Sequence, residues 1–207
     1  YRRLAFDEIF CHLLVLSENR KKIKKIKKIK KLFNEEISKK VQASLNFKLT
    51  KDQEKVIKEI NDDLQSNNKM FRVLQGDVGS GKTIVAMLTA ANVIENNFQT
   101  AFMAPTEILA RQHFILSKEL FKRTSLKIEF LTGKTEASEK KRIIHALKEG
   151  NIDLLIGTHS LFQNKIEFQN LGYVIIDEQH KFGVKQRMSL SKKGGKNCDV
   201  LVMSATP

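Results

Sequence analysis

Cysteine is nearly absent. The 207 residues hold two, Cys11 and Cys198, far apart and without neighbouring metal ligands, so neither a disulfide framework nor a zinc site is indicated. No apolar run approaches the roughly 20 residues that a membrane-spanning helix needs, and no leader with a small-residue cleavage site opens the chain. The sequence reads as that of a soluble, cytoplasmic protein without a membrane partner. Acidic residues are outnumbered, 23 Asp and Glu against 37 Lys and Arg, for a formal net charge of +14. Such an excess points to a polyanionic partner, most directly nucleic acid. It is concentrated at the start: residues 1–46 hold 13 basic against 5 acidic residues, and the remainder 24 against 18. With 41% hydrophobic and 29% charged residues, the composition is that of one globular domain with some extra chain. The chain begins with Tyr rather than Met and stops just after a strand-like run, VLVMSATP, which reads as a piece of something longer.

Glycine and proline are missing from residues 4–41. Their apolar residues Phe6, Phe10, Leu13, Ile23, Ile26, Phe33, Ile37 and Val41 recur largely at spacings of three, four or seven, which predicts one long helix or two. Within them RKKIKKIKKIKK, residues 20–31, carries nine basic residues in twelve. Two readings stay open: a basic stripe facing DNA, or a solvated helix face swollen by the Lys and Ile bias of an A/T-rich genome.

From Phe47 onward the pattern alternates. Apolar runs at 71–75, 100–104, 126–132, 153–158, 173–177 and 199–205 predict strands, and residues 82–95, 107–120 and 138–148 predict helices between them. Apolar strands alternating with amphipathic helices imply a mainly parallel sheet covered on both faces, an α/β fold. In such a sheet ligands bind beyond the carboxyl ends of the strands.

The strongest local signal is GDVGSGKT, formed by Gly76, Asp77, Val78, Gly79, Ser80, Gly81, Lys82 and Thr83 between a predicted strand and a predicted helix. This is the phosphate-loop pattern. Glycines let the backbone wrap closely around phosphates, and the helix start offers unpaired N–H groups and a positive dipole end. Lys82 would reach the terminal phosphates and Thr83 would hold Mg²⁺. That bears on VIIDEQHKFGVKQR at 174–187, where two carboxylates end an apolar strand. Asp177 is expected to hold Mg²⁺, mainly through its waters, and Glu178 to orient or deprotonate the attacking water. At other strand ends, Pro105 and Thr106 open a helix, Thr132 and Gly133 lie in LTGK, and Thr158 and His159 lie in GTHSLF. Helix starts and hydroxyls there can hold a nucleic-acid phosphate without reading bases; taken singly, each is also an ordinary turn and cap.

Taken in order, these motifs resemble those of superfamily 2 helicases over residues 47–207, the span of that family's first RecA-like motor domain. FKLTKDQ resembles the adenine-recognising Q motif, with Gln53 as the implied base contact. GDVGSGKT is similar to motif I, APTEILARQH to motif Ia, LTGK and GTHSLF to later strand-binding motifs, DEQH to motif II and SATP to motif III. LQGDVGSGKT, MAPTEILARQH and DEQHKFGVKQR resemble the versions found in RecG-type branch-migrating helicases. The transcription-repair coupling translocases are the nearest alternative, although GFGKT and DEEH would be expected of them. RRLAFDEIFCHLL resembles the RecG helix that links the wedge domain to the motor, so residues 1–46 are expected to be a basic helical linker.

The resemblance implies ATP and Mg²⁺ as cofactors and remodelling of stalled forks and Holliday junctions by a monomer in recombination and repair. It further implies that His180 couples nucleotide to DNA and that Ser204 and Thr206 relay between the two sites, with Lys181, Lys185 and Arg187 as further contacts. A second RecA-like domain with an arginine finger and a wedge domain, which the family uses, are not among these residues. The fragment alone is thus expected to bind ATP weakly and unwind nothing. A non-catalytic, basic nucleic-acid-binding remnant is the alternative of a different class.

Overall fold

Apolar runs of four to six residues become strands, and helices between several of them cross back over the sheet. The computed structural model describes residues 26–177 and 193–205. Among them the strands are β1 (Phe71–Gln75), β2 (Gln99–Met103), β3 (Ile128–Leu131), β4 (Leu154–Gly157), β5 (Leu171–Ile176) and β6 (Asp199–Ser204). The helices are α1 (Glu36–Ala43), α2 (Lys51–Gln65), α3 (Lys82–Ile94), α4 (Glu107–Leu120) and α5 (Ala137–Lys148). The strands form one sheet in the order β1-β6-β5-β2-β4-β3, every pair parallel. All six carboxyl ends therefore point to one edge. None of the described helices is long and apolar enough to cross a membrane.

Alternation along the strands divides the interior into two cores. Tyr173 and Ile175 of β5 face one core, with residues of α1 to α4, while Val174 and Ile176 face the other, with Ile143 and Leu147 of α5. The α3 helix is the most enclosed element: ten of its thirteen residues, Val85 through Ile94, are buried. It lies beneath α1 and α2, so its apolar character runs around the helix rather than along a stripe. Two polar side chains lie inside it, Thr89 fully bonded and Asn92 through its amide N–H only, its Oδ1 being left without a partner among the described residues. The Thr89 hydroxyl donates to the carbonyls of Val85 and Ala86 and lies 3.2 Å from the Tyr173 hydroxyl, and Asn92 donates to Asn61 at 3.2 Å.

The helix over Lys51–Gln65 was not among the predicted elements. Its start is a capping box: the Thr50 side chain accepts from the Gln53 N–H, while the Gln53 side chain accepts from the Thr50 N–H. A T-x-x-Q pattern ahead of apolar Val56, Ile57, Ile60 and Leu64 is a legible signature of a helix start.

The expected long basic helix is corrected where it can be seen. Residues 26–35 carry no helix, and the helical turn set begins at Glu36; residues 1–25 lie outside the described residues. The reason is where the backbone bonds go. Lys28 N donates to Asn67 O, Lys69 N to Ile26 O, Ile29 N to the Asn197 side chain and Leu32 N to the Asn96 side chain. The stretch is a strap laid across the chain just before β1, the start of β6 and the end of α3.

Both readings of the lysine run fail for two of its members. The Lys28 and Lys31 ammonium groups each lie 2.6 Å from Asp199 Oδ2, and all three side chains are fully buried. Lys28 also donates to the Asp63 and Leu64 carbonyls, Lys31 to the Asn197 carbonyl, and Asp199 Oδ1 accepts from Met70 N at 2.6 Å. Burial draws the Lys28 ammonium below its ordinary 10.5, and Asp199 pulls the other way. Meanwhile Ile29 and Leu32 are 62% and 72% exposed, so at these positions the strap is inverted, two lysines inside and two apolar residues outside, while Lys27 and Lys30 stay exposed and Phe33 packs on the core. Val41 of α1 belongs to the same core as α3.

Candidate nucleotide site and nucleic-acid edge

The phosphate loop leaves β1 at Gly76 and enters α3 at Lys82. Gly79 and Gly81 both take φ of +83°, the left-handed region that side chains avoid. Gly81 is the residue that caps α3. The Lys82 ammonium turns back over the loop and donates to the carbonyls of Gly76 at 2.6 Å and Asp77 at 2.8 Å, so the positive charge sits within the cradle where phosphate oxygens would compete for it. Asp77, Val78 and Ser80 are exposed along the loop and Thr83 is half-buried in the first turn of α3.

Gln53 fastens the loop from outside, its Nε2 donating to Ser80 O at 2.8 Å. The other end of the same amide, Gln53 Oε1, accepts from Thr50 N in the capping box of α2. The residue assigned to adenine by resemblance is thus, in this structure, a tie between α2 and the phosphate loop.

β6 runs directly beside β1, and Gly76 N donates to Ser204 O at 3.3 Å, which places Ser204 against the start of the loop. β5 is the next strand, so Asp177 follows its carboxyl end two strand spacings, about 10 Å, from the end of β1. Continuing the alternation of β5, Asp177 turns toward the core that holds α3 and α4. Its backbone N–H donates to Met103 O at 2.8 Å, and its Oδ2 lies 2.8 Å from His113 Nε2 of α4. Glu178, His180, Lys181, Lys185, Arg187 and Thr206 lie outside the described residues.

The other three strand ends fall on the far half of the same edge. Pro105 and Thr106 follow β2, and the exposed Thr106 caps α4 by accepting from Leu109 N at 3.3 Å. Thr158 and His159 follow β4, where the chain makes a short 3-10 turn at His159–Phe162. Thr132 and Gly133 follow β3; Thr132 is 3% exposed, and its hydroxyl accepts from Lys134 N at 3.3 Å. That hydroxyl shapes the turn, and the neighbouring Lys134 carries the exposed charge. Beside them opens a cleft of about 550 Å³ lined by Thr132, Lys134, Glu107, Arg111 and Phe130 among others.

The donor set fits a phosphate-bound Mg²⁺: a hydroxyl and a carboxylate are hard oxygen ligands, and Mg²⁺ ordinarily takes few protein ligands alongside phosphates and water. Among the described residues no group of three or more His, Cys, Asp or Glu could hold a metal without such help.

His113, Lys31 and Asp199 are not singled out from sequence, and Lys28 only as one lysine of the basic run that could face DNA phosphates. For His113 a signal existed, a polar residue on the inward face of a helix that follows a strand end. For the buried lysines the local pattern argued the opposite.

A glycine-rich loop from a parallel strand into a helix, with a carboxylate ending a nearby strand of the same sheet, defines a P-loop nucleotide-binding domain of the RecA-like class. Residues 50–207 match the DEAD/DEAH box helicase family, and the chain belongs to that family. Over its whole length it is 50% identical to the ATP-dependent DNA helicase RecG of Aquifex aeolicus, of which it covers 26%. It is 48% identical to RecG of Thermotoga maritima over 99% of the chain, again 26% of that protein. The chain thus spans about a quarter of the length of these relatives. A RecG structure bound to a three-way DNA junction superposes with a TM-score of 0.85 and 46% identity, covering all of this chain and 27% of the other. The helicase MrfA, at 19% identity and a TM-score of 0.65 over 86% of this chain and 30% of its own, shares the fold.

Proposed function

We propose that this chain is the ATP-binding half of a RecG-type DNA motor, acting as a cytoplasmic monomer on branched DNA in recombination and repair. Residues 47–207 are the motor domain, and residues 1–46 link it to the preceding part of such a protein. The observation that carries the reading is the joint placement of the phosphate loop, Ser204 and Asp177 on one half of the sheet edge, in a chain close to RecG over its full length.

In this reading Lys82 gives up the Gly76 and Asp77 carbonyls to bind the terminal phosphates, and the loop N–H groups and the start of α3 hold the rest. Thr83 and Asp177 hold Mg²⁺, which when bound neutralises charge on the phosphates. Glu178 orients the attacking water, Gln53 contacts adenine at the cost of its tie to Ser80, and His180, Ser204 and Thr206 relay the nucleotide state. Pro105, Thr106, Thr132, Gly133, Thr158 and His159 line the DNA track, which recognises backbone rather than bases.

Fluorescence anisotropy of a labelled three-way junction, titrated at several salt concentrations, tests this. Binding is expected to weaken steeply with salt, with each lost phosphate contact reducing the slope by about 0.9. Lys134→Gln should reduce the slope by about that amount, and Thr106→Val should weaken binding whatever the DNA sequence. Junction binding that ignores salt, or variants identical to wild type, would count against the assignment.

A further inference from the structure

We propose that His113 is a positioning residue for the metal-side carboxylate Asp177, and that it makes α4 the mechanical link between the two halves of the sheet edge. The proposal rests on the reading of Asp177 given above and extends it to a residue to which that reading gives no role.

The sheet order separates the functions. The phosphate loop follows β1, Ser204 ends β6 and Asp177 follows β5, whereas the proposed DNA contacts follow β2, β4 and β3. The boundary lies between β5 and β2, and His113 crosses it. Its ring nitrogen Nε2 is 2.8 Å from Asp177 Oδ2, with both residues 8% exposed. A carboxylate oxygen can only accept, so Nε2 carries the hydrogen and donates it. The ring is fixed from below by Phe102 of β2, its centroid 4.6 Å away and the planes tilted by 45°. One carboxylate oxygen is therefore engaged in a defined direction, which sets the orientation of the other.

Helix geometry adds the second half. Thr106, the exposed cap of α4, and His113 are seven residues apart, two turns or about 10 Å along the axis and on nearly the same face. The helix is rigid between them, with Ala110 buried in the core. A phosphate seated on the N-terminus of α4 and the carboxylate beside the nucleotide would thus be held by one helix. Outer partners of this kind fix the orientation of a metal-binding side chain, and their loss ordinarily costs about 10–100-fold in metal affinity or activity.

The test uses the full 207-residue chain with Mn²⁺ in place of Mg²⁺, its uptake in the presence of a non-hydrolysable ATP analogue followed by electron paramagnetic resonance. His113→Leu is expected to weaken Mn²⁺ uptake by about tenfold or more, while affinity for the metal-free analogue stays at the wild-type value. His113→Gln, whose amide reaches the former place of Nε2, should restore most of the loss. If His113→Leu does not fold, His113→Asn, too short to reach Asp177, takes its place with the same expectation. Wild-type Mn²⁺ uptake in the Leu or Asn variant, or no recovery in a folded Gln variant, would overturn the proposal. If folded wild type takes up no nucleotide-dependent Mn²⁺, or Asp177→Asn takes up as much as wild type, the metal-site reading fails and the role of His113 falls with it.

Discussion

At the scale of single residues, Gly81 is held by two constraints at once. Its φ of +83° is strained for any residue with a side chain, and a Cβ there would run into the Gln53 amide. Gly81→Ala should therefore lower stability by about 1–2 kcal/mol in urea denaturation, and should weaken nucleotide binding as well, since the Gln53 tie to Ser80 is displaced. Stability within a few tenths of wild type would show that the loop relaxes freely. Lys82 differs: its ammonium meets only loop carbonyls and it is half-buried, so Lys82→Ala should leave the thermal midpoint nearly unchanged.

At the scale of elements, the junction of the strap with β6 is a buried cluster of two cations on one anion. Removing the anion leaves two ammonium groups facing each other without water, so Asp199→Asn is expected to cost about 3–5 kcal/mol, the range for breaking a buried pair. Lys28→Met should be far milder, because Asp199 keeps Lys31 and Met70 N and one buried charge is gone. A pH titration of stability distinguishes the two roles further. With its folded pKa lowered by burial, Lys28 loses its proton before the unfolded chain does. Between that lowered value and 10.5 the unfolded state binds more protons, so stability should rise with pH there, and Lys28→Met should flatten the rise. Equal destabilisation by Asp199→Asn and Lys28→Met would contradict this.

The same elements show what could be read in advance. Strands buried on both faces are short apolar runs between turn signals, and all six were legible to within a few residues at their ends. The predicted helices on residues 82–95, 107–120 and 138–148 correspond to α3, α4 and α5, because each keeps an apolar face or an apolar body. The strap was not legible: its three-residue repeat of Ile and Lys mimics a helix, and the groups that turn Lys28 and Lys31 inward, Asp199 above all, lie some 35 to 171 residues away. Much of the site was legible too, since a phosphate loop is a local pattern. The His113 to Asp177 bond was not, because nothing local pairs a helix histidine with one particular strand end.

At the scale of the whole molecule, the strap and the candidate site occupy opposite ends of the sheet. The strap meets residues 67–69, the start of β6 and the end of α3, all remote from the carboxyl edge. Exposed Lys27 and Lys30 therefore have no part in the proposed DNA track. Replacing both by Gln should leave the salt dependence of junction binding unchanged, against a reduction for Lys134→Gln; a slope lowered by about 0.9 per lysine would return the strap to the DNA interface. A single sheet edge also supplies only one wall of a nucleotide cleft, so these 207 residues on their own are expected to bind ATP weakly and to show no strand separation in a junction-unwinding assay.

The most direct measurement is calorimetric titration of a non-hydrolysable ATP analogue into the chain, with and without Mg²⁺, for wild type and Lys82→Ala. Saturable binding that Mg²⁺ strengthens and that Lys82→Ala weakens by at least about tenfold, ~1.4 kcal/mol, is the expected result. Equal affinity in the two proteins, with Lys82→Ala folded as wild type, would contradict a nucleotide site at this loop.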